Sequence, residues 1–211
     1  MESTVTGEVT GEGGPTFDDV ALDAAFATAR GHATSGRAPF TTFAVAAAAG
    51  TIRTGTATEP GRDPVPVDAQ CLVASITKPI VATAVMRLHQ EGRFSLAAPL
   101  AWWLPELAAP DRRGITAWHV LTHTTGMDDT WLDRIMAEGI EKADLLARAM
   151  AAPLGAPVGT RYAYASVTFD ILCLAIERAL DRPFEEILRE TVLDPLGMAD
   201  TDWEPRPERA A

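Results

Sequence analysis

The sequence predicts an α+β fold in which one helix and one β-hairpin precede a long, mostly helical region. Three observations carry that expectation. Apolar residues recur at helical spacing near the start, two short strand-like runs flank Gly50, and from residue 75 onward every apolar periodicity is helical.

The first helix is expected from Phe17 to about Arg30. Phe17, Val20, Ala21, Ala24 and Ala25 lie on one face, Asp18 and Asp19 sit near the positive end, and Gly31 marks a stop. Thr41–Ala49, rich in Phe, Val and Ala, and the Thr-rich run Thr51–Thr56 read as the two arms of a hairpin. Three prolines and a glycine make Glu59–Asp68 a loop. A strongly apolar helix should then begin close to Ser75 and run to about Glu91. Pro79 is tolerated only in a first turn, and Gly92 is a natural terminator. Shorter helices are expected from Thr116, around Trp131–Met136, over Glu141–Met150, from about Thr168 to Leu180, and over Pro183–Val192. The organisation read from this is a disordered lead-in (1–16), a helix-and-hairpin part (17–74), a helical lobe (75–203) and a tail (204–211).

Composition narrows the function. With 47% hydrophobic and 22% charged residues the chain should bury a core. Its formal charge of −11, with no dense Lys/Arg cluster, argues against nucleic acid as a partner. The lead-in lacks the basic and apolar segments of a signal peptide, and no apolar run could cross a bilayer. The expected setting is therefore cytoplasmic, without membrane attachment. Cys71 and Cys173, the only cysteines, are expected to be buried free thiols.

Chemistry concentrates in Ser75-Ile76-Thr77-Lys78, where a hydroxyl and an amine three residues apart share one face of a helix start. A serine needs a base to become a nucleophile, and a lysine can act as one when its surroundings lower its pKa, which an arginine cannot. The chain has sixteen arginines but two lysines, Lys78 and Lys142, and two tyrosines, Tyr162 and Tyr164. Chance alone would supply such a serine–lysine pair about once in twenty chains of this composition, so a capping serine beside a solvated lysine is the competing reading.

Three further patterns follow in order. Leu72–Pro79 resembles the S-x-x-K box of the serine β-lactamase and penicillin-binding-protein superfamily, specifically its class C β-lactamase and esterase branch. Ile115–Met127 resembles that branch's I-T-x-x-x-L-L-x-H-x-S-G stretch, Gly159–Ser166 its tyrosine box, and Pro195–Met198 with Thr201 its P-L-G-M-x-x-T stretch. The likeness covers about residues 20–203. It implies a β-lactamase-like fold, incomplete here because the later strands of the antiparallel sheet are missing. It also implies that Ser75 forms an acyl-enzyme with Lys78 and Tyr164 moving protons, on a small ester or amide, with no cofactor and no metal.

Two departures shape the expected activity. Ser166 stands where the family has an asparagine, so this candidate substrate-binding position offers a hydroxyl rather than an amide, which favours ester chemistry over β-lactam hydrolysis. No K-T-G-like box follows Met198, and in the family that strand supplies half of the oxyanion hole. A second chain or a swapped neighbour is therefore expected to complete the sheet. The alternative is a catalytically inactive half-protein that serves as a binding or assembly subunit.

Other readings are weaker. His119 and His123, with Asp128 and Asp129, lack the glutamate of H-E-x-x-H, which disfavours zinc. Tyr162 is the second candidate phenol, or an aromatic packed under its loop. Trp102-Trp103 should pack the loop after the nucleophile helix rather than form a ligand platform, and Glu185, Glu186 and Glu190 should be solvated surface.

Overall fold

In the computed structural model, residues 18–47, 50–129, 142–204 and 206 are described. They form two compact units, one of residues up to Cys71 together with those from Glu204, the other Leu72–Trp203. The expected lead-in and the helix around Trp131–Met136 lie outside the described residues.

The first unit consists of helix α1 (Asp19–Thr34) and strands β1 (Phe40–Ala47) and β2 (Gly50–Thr58). Asp18 caps α1 by accepting the Val20 amide hydrogen at 2.9 Å. The expected stop at Gly31 is wrong: the helix continues for another turn because Ala33 is fully buried, and it ends only at Ser35–Gly36, where Gly36 takes φ +73°. The strands pair antiparallel with a bulge between Val45 and Ala46. Phe43 faces Gly55 across the ladder and meets Phe26 of α1 at 4.6 Å. A side chain at Gly55 would clash with the Phe43 ring, so this glycine makes room for the aromatic contact between helix and hairpin.

The second unit is built around α2 (Thr77–Gln90), which follows a 3₁₀ turn at Ala74–Ile76. Val81, Ala84, Val85 and Leu88 are buried, as their i, i+3, i+4, i+7 spacing requires, whereas Ile80 is only half-buried. Around them pack α3 (Ala117–Leu121), α4 (Lys142–Ala151), α5 (Val167–Leu180) and α6 (Phe184–Leu188). Two 3₁₀ turns, Leu100–Trp102 and Pro105–Leu107, contribute the fully buried Leu100 and Leu107, and Leu104 between them is fully buried too. The helix expected over Pro183–Val192 passes instead from α6 into a π turn, Arg189–Leu193, where the Asp194 amide donates to the Arg189 carbonyl. No described helix is long and apolar enough to cross a membrane.

Several side-chain expectations are corrected. Cys71 is exposed and Cys173 half-buried; both are free thiols, but neither is fully buried. Trp103 packs on Phe94 at 4.9 Å, yet Trp102 is 71% exposed, because a 3₁₀ turn places consecutive residues on different sides. The acidic surface is not simply solvated: Glu190 accepts from Arg93 and Arg182, and Glu186 pairs with Arg182.

Candidate active site

Ala74 precedes the serine at φ +45°, an unusual conformation for a residue with a Cβ. Ser75 lies inside the 3₁₀ turn, and neither that turn nor α2 has a side-chain cap, so the capping reading of Ser75 does not hold. Lys78 and Pro79 follow in the first turn of α2, where the proline's missing amide hydrogen is not needed. One turn of helix thus carries both Ser75 and Lys78 on a shared face.

Tyr164 arrives from the loop that precedes α5, and the segment after α3 holds that loop. The Gly159 amide donates to the Thr124 carbonyl at 2.8 Å, and the Ala163 amide to the His123 carbonyl at 2.8 Å. The Ala165 amide donates to His123 Nδ1 at 3.3 Å, and the Ser166 amide to Asp129 Oδ2. Gly126, at φ +81°, lies so close to the Ala156 carbonyl oxygen that a side chain would collide with it. The glycine of the Ile115–Met127 stretch is therefore what allows the two segments to meet.

The predicted residues converge. Ser75 Oγ and Tyr164 Oη share a hydrogen bond of 2.7 Å. Lys78 Nζ donates to Ser75 Oγ at 3.2 Å and to Ser166 Oγ at 3.1 Å, and lies 4.9 Å from the centre of the Tyr164 ring. Lys78 is half-buried, with the Phe169 ring 5.6 Å from its ammonium, so the solvated-lysine reading fails as well. Lys78 above all, then the Ser75 hydroxyl, pull the Tyr164 phenol down from 10.0 to about 8. Ser75 is exposed and Tyr164 is 45% exposed, so the hydroxyl is open to an approaching carbonyl.

Tyr162 does not join the cluster. It is 66% exposed and meets His123 edge-on at 5.7 Å, which also corrects the expectation that it packs under the loop. Ala165, by contrast, is buried, its amide bonded to His123 Nδ1. His119 forms a capping box with Thr116 at the start of α3. Burial lowers its imidazole below the usual range. Among the described residues no group of three His, Cys, Asp or Glu side chains is disposed to hold a metal ion. Of the site's supporting residues, His123 stood in the quoted I-T-x-x-x-L-L-x-H-x-S-G stretch without its loop contacts being foreseen, and two escaped the sequence reading: Asp129 as the acceptor for Ser166, and Phe169 beneath Lys78. Their contacts span 37 to 42 residues or link separate helices, and no local spacing signals them.

A serine hydroxyl hydrogen-bonded to both a lysine and a tyrosine, on a helix start and a facing loop, is an arrangement chemically suited to serine acyl transfer. Residues 22–211 match the Beta-lactamase family model, and the chain belongs to that family. It is 38% identical over 172 residues to Esterase EstB of Burkholderia gladioli, covering 72% of this chain and 43% of that protein. It is 29% identical to monacolin J acid methylbutanoyltransferase of Aspergillus terreus, covering 70% of this chain and 42% of the relative. The fold is similar to that of a D-stereospecific amidohydrolase from Streptomyces sp., with a TM-score of 0.69 and 26% identity, covering 82% of this chain and 54% of the other. The chain spans less than half the length of the two curated relatives and about half that of the solved structure.

Proposed function

We propose that this chain carries the nucleophile and proton-transfer groups of a serine hydrolase or acyltransferase that acts on a small ester or amide through a Ser75 acyl-enzyme. The observation that carries this reading is the 2.7 Å bond between Ser75 Oγ and Tyr164 Oη, with Lys78 Nζ donating to the same serine oxygen. With its pKa near 8, the Tyr164 phenol is a phenolate in roughly a tenth of molecules at neutral pH and serves as the general base. It takes the Ser75 proton as Oγ attacks the substrate carbonyl, and the Lys78 ammonium steadies the negative charge on the two oxygens. Collapse of the tetrahedral species breaks the bond to the leaving group, which receives the proton from Tyr164. Water, or an acceptor alcohol or amine, then enters by the same steps in reverse order and frees Ser75.

Esters are the favoured substrates. Ser166 Oγ accepts from Lys78 and its hydroxyl also bonds the Tyr164 phenol, and a single oxygen lacks the separate donor and acceptor atoms of the asparagine usual there. The relatives include one named as an esterase and one as an acyltransferase, which agrees with ester chemistry.

The reading also includes strands from a further polypeptide segment, whether a second chain or a swapped neighbour. Among the described residues the sheet has only β1 and β2, and two strands alone are marginal.

Incubation with a fluorophosphonate or an activated ester, followed by mass spectrometry, tests the proposal. The expected result is one adduct on the Ser75 peptide, absent in Ser75→Ala. No adduct, with or without a complementing segment, would overturn the catalytic reading and leave the binding or assembly subunit.

A further inference from the structure

We propose that His123 is the positioning residue for the Tyr164 base: it binds the backbone on both sides of Tyr164 and stacks on its ring, holding the phenol oxygen against Ser75. This deepens the acyl-transfer reading and rests on it.

Tyr164 lies on a loop with no regular hydrogen-bond ladder, so something else must hold its hydroxyl within 2.7 Å of Ser75. One residue does much of this. The His123 carbonyl accepts from the Ala163 amide and its Nδ1 from the Ala165 amide, so the two bonds straddle Tyr164. The imidazole stacks on the Tyr164 ring at 4.7 Å with 28° between planes, which limits rotation of the phenol about its side-chain bonds. His123 itself sits at φ +54°, and this left-handed turn aims both its carbonyl and its ring at the loop.

Accepting from Ala165 requires that Nδ1 carry no proton. The surroundings agree: burial above all, then the positive charge of Lys78 on α2, hold the imidazole below its usual range, while Asp129 works in the opposite sense. The rings of Tyr162, Tyr164 and Phe169 lie against the imidazole. Asn would be the best mimic, since its side-chain oxygen can accept from the loop and it tolerates positive φ.

The chain has only two tyrosines, so Tyr162→Phe leaves a single phenol to follow by ultraviolet titration. In that background Tyr164 should titrate near 8, His123→Ala should move it toward 10, and His123→Asn should leave it near 8. His123→Phe keeps an aromatic stack without an acceptor and should also titrate high. A His123→Ala protein that is folded by circular dichroism yet titrates near 8 would overturn the proposal. So would His123→Asn rising as far as His123→Ala, or, should His123→Ala not fold, His123→Phe remaining near 8. In labelling experiments His123→Ala should react with the activated ester at least about tenfold more slowly and His123→Asn should recover most of the rate. The titration needs no substrate, so a chain that forms no adduct would end the catalytic reading while still testing His123.

Discussion

The lysine and tyrosine of the site act on one another before any substrate arrives. Lys78 first, then Ser75, lower the Tyr164 phenol to about 8, and in the proposed reaction that phenol is the base beside the serine. Because the working form is the deprotonated one, acylation should rise with pH and level off above about 8, rather than climb on toward 10. A pH profile of Ser75 labelling checks this; a rate that is flat from pH 6 to 9 would contradict it. Tyr164→Phe should lower the labelling rate by about 10²-fold or more while leaving the fold intact. The sequence singled out Ser75, Lys78 and Tyr164 through ordered motifs in which the scarce lysine and tyrosine types appear, and the structure brings the three side chains together. The sequence could not show that Ser166 would be engaged with Lys78, a contact 88 residues apart that only folding creates.

At the scale of elements, the helix pattern was legible wherever an apolar stripe met a core. Val81, Ala84, Val85 and Leu88 form the buried face of α2, and Leu172, Ala175 and Ile176 lie in that of α5, within the helix expected from about Thr168 to Leu180. Helix ends were read less well, since they depend on tertiary partners: Gly31 lies inside α1, and a π turn interrupts the last helix. The C-terminal end of α4 shows such a partner. Arg112, 7% exposed, donates to the Met150 and Ala152 carbonyls there while pairing with Asp111. Arg112→Ala should therefore cost about 2–4 kcal/mol by leaving buried carbonyls without donors. The expected sign is a lower denaturant midpoint with an unchanged slope; an unchanged midpoint would show that water replaces the guanidinium.

For the whole molecule, the hairpin and the helical unit should differ in local stability. The helical unit has a continuous core from Val81 to Leu193, whereas among the described residues the sheet has two strands, of which β1 shows Thr42, Ala44 and Ala46 exposed along one face. Hydrogen exchange on the isolated chain should find β1 and β2 amides exchanging well before those of α2 and α5. Addition of a complementing segment should slow the hairpin selectively. A monomer by sedimentation whose hairpin amides are as protected as those of α2 would remove the need for added strands.

By itself the sequence determined the α+β class, the family resemblance and the candidates Ser75 and Lys78 with Tyr164 or Tyr162 as the phenol, because spacing along one helix turn and ordered motifs are local properties of a chain. The tertiary structure alone decided which phenol reaches the serine, that Ser166 serves Lys78, and that His123 anchors the tyrosine loop. Those outcomes depend on amides and side chains brought together across 37 to 89 residues, where only the packing of helices against loops sets the distances.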